Sequence, residues 1–273
     1  MTARLAPIVA LTVIAASSWL GEGPAHAVDP FEVQVYDGSA DAPGTAGVEL
    51  HMNGVVDGVR TAPPPEIAPH HTAHLTLEPS YGVFSFWEIG FYLQTAVRPD
   101  GGYDFAGVKL RSKLVTSRDW HPSLRLGANV EVSYLPARYE AEHWGAELRP
   151  IVAWQGARWL LAVNPILDFS LGGGGGNVPE FEPAASALIK VHDVVSLGIE
   201  YYAGLGPLDA PAAWRDQQQI IYQVINIEPA RGLEVNLGIG EGLTAASNNL
   251  TLKAIVGYGF DWTARRPAPA ESR

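Results

Sequence analysis

The chain has 273 residues, a net charge of -11, 47% hydrophobic residues and only 17% charged ones. That hydrophobic share excludes wholesale disorder, and the acid excess argues against the basic footprint of a nucleic-acid binder. The absence of cysteine excludes disulfides, Cys-ligated zinc, iron–sulfur clusters, Cys nucleophiles and a lipid anchor on Cys. In chain order, the first segment reads as an address. Arg4 supplies a short basic region, an apolar stretch runs from Leu5 to Leu20, and Ala25-His26-Ala27 is a small-x-small cleavage pattern. Residues 1–27 are therefore expected to be a secretory signal peptide, removed on export. No later apolar run is long enough for a transmembrane helix, which leaves periplasm, outer membrane or medium.

Phe31 to Tyr36 alternates briefly and is expected to be part of a periplasmic leader over residues 28–46, or a strand clipped onto a barrel rim. Longer alternating segments follow. Trp87, Ile89, Phe91 and Leu93 share one face, with Glu88, Gly90, Tyr92 and Gln94 on the other. From Ser123 to Tyr134, and again from Leu250 to Phe260, the same two-face sorting recurs. A helix would scatter these residues around its circumference, whereas a strand separates them. The pattern predicts strands over 47–54, 71–79, 85–96, 103–114, 123–135, 145–155, 158–169, 181–191, 194–204, 217–227, 233–241 and 249–260. Most approach the roughly 9–11 residues that cross a bilayer at a tilt. Two alternate poorly: Leu160 to Asp168 is apolar on both sides, and Ile220 to Ile227 switches phase.

Connections alternate between long Gly/Pro-rich stretches and tight turns such as EPSYGVFS, QGAR, HDV and EPARG, with TSRDWHPS the exception. Long loops on one side and short turns on the other are the habit of outer-membrane barrels. The expected fold is all-β: a single closed antiparallel transmembrane barrel of about twelve strands over 47–260, with a periplasmic tail over 261–273. Period alone does not distinguish this from a soluble barrel, in which the same two faces would be reversed. Three features favour the membrane: an apolar face nearly unbroken by charge, aromatics at strand ends (Trp87, Tyr134, Trp154, Trp159, Tyr201, Tyr258), and the final Lys253…Tyr258-Gly259-Phe260. That ending resembles the C-terminal assembly signal of bacterial outer-membrane β-barrels. The resemblance implies three partners or surroundings: outer-membrane lipid, the barrel-assembly machinery at the last strand, and a small solute of unknown identity.

Leu77-Glu78-Pro79-Ser80-Tyr81-Gly82-Val83, followed by Trp87-Glu88-Ile89-Gly90, is similar to the first turn of one barrel family, the "MetA-pathway of phenol degradation" outer-membrane proteins. They are grouped with proteins taken for transporters, so the resemblance implies passage of small, often aromatic, compounds. It brings no catalytic residues.

Glu88, Lys109, Arg111, Lys113, Arg125, Glu131, Glu147, Arg149, Glu200 and Lys253 share the polar face and are expected to line the lumen. They could set selectivity or simply fill a narrow barrel with ion pairs. His51, His70, His71 and His74 are weak metal-ligand candidates, since paired strands could bring His51 toward His74. A wet, polar extracellular loop is the reading preferred, since no carboxylate spacing supports a metal, and no cofactor or metal is implied. The Gly172–Gly176 run lacks a following Lys-Ser/Thr and reads as a loop. No G-x-S-x-G occurs and His74 lies too far from Ser80 to activate it, so an enzyme is not expected. The expected function is a solute channel; the alternatives are a non-conducting structural or adhesion barrel, or a soluble periplasmic barrel binding a lipid-like ligand.

Overall fold

The computed structural model describes residues 28–117, 119–172, 178–229 and 232–260. The signal-peptide and C-terminal-tail assignments lie outside these residues, as does most of the Gly172–Gly176 run. Fourteen strands form, β1 (Ala46–Asp57), β2 (Ala73–Phe84), β3 (Trp87–Val97), β4 (Tyr103–Val115), β5 (Leu124–Tyr134), β6 (Trp144–Gln155), β7 (Trp159–Asn164), β8 (Leu167–Ser170), β9 (Glu180–Phe181), β10 (Ala184–His192), β11 (Val195–Gly204), β12 (Gln218–Ile227), β13 (Leu233–Gly242) and β14 (Leu250–Phe260). They make twelve staves, because β7 with β8, and β9 with β10, are single staves broken in the middle. Both breaks fall beside a proline, Pro165 and Pro183, which has no N–H for the ladder. The backbone bridges the gap, with the Glu182 N–H donating to the Ile166 carbonyl at 3.0 Å.

All neighbouring staves pair antiparallel, and β1 against β14 together with β5 against β6 closes the sheet into a barrel. Closure leaves no open edge, the condition for strands in lipid. Among the described residues, the only helical piece is a single 3-10 turn, Trp214–Asp216.

The two faces settle the ambiguity left by the period. Leu110 is 64% exposed on the outside, as are Leu50, Phe91, Val130, Leu161, Ile199 and Leu252 in lesser degree. Arg149 and Glu131, each 2% exposed, point inward. The molecule is apolar outside and charged inside, the arrangement of a barrel whose solvent is lipid. Aromatics gather toward the ends, with Phe84, Phe86, Trp154, Trp159 and Tyr258 at the short-turn end and Tyr103 and Trp144 at the long-loop end.

The largest boundary difference is at the end of β2. The Leu77–Val83 motif, expected at a turn, lies within β2, which continues to Phe84. Ser80 and Tyr81 still face Gly47 and Ala46, so ladder pairing with β1 outweighs the turn propensity of Pro79 and Gly82.

The larger difference concerns residues 28–45. They do not form a rim strand or a leader standing below the barrel. They run extended through the lumen, from Val28 beside Gln218 at the long-loop end to Ala42 against β2 at the short-turn end. Phe31, Glu32, Val33 and Tyr36 are all buried there.

Candidate functional site

An extended segment with no ladder must satisfy its backbone groups some other way. Inward side chains of the barrel do this one by one. Asn53 donates to the Pro30 carbonyl at 3.0 Å, Thr76 to Phe31 at 3.0 Å, Lys253 to Val33 at 2.9 Å and Arg149 to Gln34 at 3.3 Å. Asn164 brackets Tyr36, accepting from its N–H at 2.7 Å and donating to its carbonyl at 3.0 Å. The segment is thus held by five different strands, β1, β2, β6, β7 and β14.

Side chains of the segment sort to two walls. Val33, with Val28 and Val35 beside it, packs on Ile166, Ala184, Leu188, Tyr202, Ile220, Tyr222 and Val224. This apolar wall explains the two strands that alternate poorly: their inward residues meet the valines instead of water. Phe31 fills a second apolar spot with Ala96, Ala106 and Leu135, its ring edge-on to His74 at 4.7 Å.

The opposite wall is charged. Lys109 meets Asp29 at 2.6 Å and Glu131 at 3.3 Å. Arg149 meets Glu147 at 2.7 Å and Glu32 at 3.1 Å, and its guanidinium lies 4.6 Å from the Tyr36 ring centre. Arg111 bridges Glu78 at 2.6 Å and Glu88 at 2.8 Å, and Lys113 joins Glu88 at 2.8 Å. Lys253 pairs with Glu200 on the other side, beside the Tyr202 and Tyr222 rings of the apolar wall. Of the ten expected lining residues, nine are buried in this inward network; Arg125 is half-buried nearer the short-turn end, paired with Gln155.

The Tyr36 hydroxyl shares a 2.8 Å hydrogen bond with the Tyr92 hydroxyl, and Ser80 donates to Asp41 at 2.6 Å. The Asp41 N–H donates to Glu88 at 2.6 Å, and the chain passes so near β2 that a Cβ on Gly82 would sit 2.3 Å from the Ala42 carbonyl oxygen. Only glycine fits there.

A cavity of about 320 Å³ remains beside the segment at the short-turn end, bounded by β1 to β4, β7 and β10 to β14. Its lining includes Asp37, Asp41, Glu49, Glu228 and Glu234, with Arg111 and Lys113 the only bases among the described residues. Sequence reasoning missed most of these acids, because they sit on the segment or at strand ends.

The four histidines do not meet as a group. His51 lies between Glu49 and Glu78, His70 stacks on His71 at 3.8 Å in the long first loop beside Asp57, and His74 packs on Phe31. The expected approach of His51 to His74 is replaced by contact with carboxylates, because the register sets His51 opposite Thr76.

No model of a known protein family matches the sequence, and no curated protein matches it either. The resemblance of the Leu77–Gly90 stretch to the phenol-degradation barrels is therefore without support from a family match. Solved structures do match. The COG4313 outer membrane channel from Pseudomonas putida F1 is 15% identical with a TM-score of 0.55, over 84% of this chain and all (100%) of that one. The KdgM porin is 7% identical with a TM-score of 0.54, over 79% of this chain and 99% of its own. KdgM in complex with disordered oligogalacturonate gives 8% identity and a TM-score of 0.50, over 80% and 99%. At such identities the likeness is one of fold, and it agrees with the closed, inside-out sheet: this chain has the fold of a bacterial outer-membrane β-barrel.

Proposed function

We infer that the protein is a bacterial outer-membrane channel for small solutes, with residues 28–45 narrowing its lumen. On this reading the signal peptide is removed, the short-turn end where β1 begins and β14 ends faces the periplasm, outer-membrane lipid surrounds the apolar face and the assembly machinery takes the last strand. The observation that carries the reading is the cavity of about 320 Å³ left beside the lumen segment at the short-turn end. The acidic lining of that space favours small cations or cationic solutes over anions. The aromatic solutes implied by the motif resemblance fit less directly; the apolar lining of Leu160, Leu188 and Ile255 is what favours them. We assign no reaction to the site, since its buried charges are taken up by one another and by the segment.

Planar-bilayer recording under a KCl gradient tests this. The mature chain should give small, cation-preferring steps, and a chain lacking residues 28–45 should conduct several-fold more. Absence of conductance in both would replace the channel with a non-conducting structural barrel.

A further inference from the structure

One cluster in the wall of the lumen holds a histidine between two carboxylates. Among the described residues, Glu49, His51 and Glu78 are the one group of three whose ligand atoms all lie within 4.8 Å of one another. Their meeting is built by the sheet. Glu49 and His51 are two apart on β1 and so share its inward face, and Glu78 stands opposite Glu49 across the β1–β2 ladder. We propose that this triad binds a divalent transition-metal ion of the zinc type through His51 Nε2, Glu49 Oε2 and Glu78 Oε2. The proposal stands apart from the channel reading and needs only the barrel.

Geometry is the first argument. His51 Nε2 lies 3.1 Å from Glu78 Oε2 and 3.3 Å from Glu49 Oε2. Zinc with ligand bonds near 2.1 Å has tetrahedral edges of about 3.4 Å, so these two edges need to open by only a few tenths of an ångström. The carboxylates also have outer partners that aim them. Arg111 takes Glu78 Oε1 at 2.6 Å, leaving Oε2 for the ion, and Gln34 Nε2 donates to Glu49 Oε2 at 3.2 Å. Such second contacts fix ligand orientation in metal sites.

Charge is the second argument. Glu49, Glu78, Glu88 and Asp41 gather here against Arg111 and Lys113. Four carboxylates thus stand against two bases around His51, a setting that favours a cation. The nitrogen ligand selects the ion, since calcium and magnesium prefer all-oxygen sites. Glu49 and Glu78 line the cavity, which gives the ion a way in and a place for water as fourth ligand.

The test uses the mature chain folded in detergent, stripped with chelator, dialysed against zinc and assayed for bound metal, with Co²⁺ as a spectroscopic substitute. One zinc per chain and the intense visible absorption of tetrahedral Co²⁺ are expected. His51→Ala and Glu49→Gln should each weaken binding about 100-fold or more, since ligands matter at least as much as their outer partners. The double variant His70→Ala/His71→Ala should leave it intact. Each variant is checked for unheated gel mobility, so that loss of metal is not loss of the barrel. Failure of the parent chain to hold stoichiometric zinc would overturn the proposal and leave the triad as a hydrogen-bonded His–carboxylate group. So would binding that disappears with His70 and His71 but survives without His51.

Discussion

Arg149 shows how much of the interior depends on single charges. It is buried, and it faces Glu147 on its own strand and Glu32 on the lumen segment. Removing one partner of a buried pair strands the other, at a cost of about 3–5 kcal/mol, because the remaining carboxylates keep their desolvation without compensation. Arg149→Met should therefore lower the stability of the folded barrel by about that amount, read from urea unfolding in liposomes by tryptophan fluorescence. Adding Glu147→Gln should recover part of the loss. A variant as stable as the parent would mean that water in the lumen solvates these carboxylates. The inward assignment of the charged residues was legible from alternation alone. Their partners were not: Asp29, Glu32 and the carbonyls of Val33 and Gln34 belong to a segment whose path no strand period encodes. The Glu49–His51–Glu78 meeting was hidden for a related reason. It needs the β1–β2 register, which sets Glu78 opposite Glu49 and which no strand period encodes.

At the scale of elements, the outer face of β4 offers a sharp test of the surrounding solvent. Leu110 is fully outward near the middle of that strand. In lipid, Leu110→Arg should cost about 2–4 kcal/mol, as for a charge near the bilayer midplane. A barrel in water would tolerate the same change within about 0.5 kcal/mol, as surface substitutions usually are. Comparing folding stability of the two chains in liposomes decides between them. The strands themselves were legible because ten of the twelve staves sort cleanly into two faces. The other two carried information of a different kind. Leu160, Ile220, Tyr222 and Val224 point inward without polarity because Val28, Val33 and Val35 cover them. An apolar inner wall in a membrane barrel is a sign that something apolar occupies the lumen. Phe31 to Tyr36 was the only short alternating stretch left to supply it. The breaks at Pro165 and Pro183 were visible as prolines, but only the pairing shows that they stand side by side in one wall.

For the whole molecule, two layers of organisation depend on each other. The sheet closes with its apolar face outward, and the charged interior this creates is neutralised by its own strands and by residues 28–45. The chain thus has no single hydrophobic core of the kind a soluble domain of this length would build. Its rigidity comes from a hydrogen-bonded cylinder and an ion-paired interior, with small apolar patches where the segment docks. The most direct measurement is the gel mobility of the mature, detergent-folded protein in SDS, unheated against boiled. A closed barrel of this kind should resist SDS when cold, migrate as a compact species and shift on boiling. Identical migration before and after boiling, in a protein recovered from the soluble periplasmic fraction, would contradict the inside-out barrel and everything built on it.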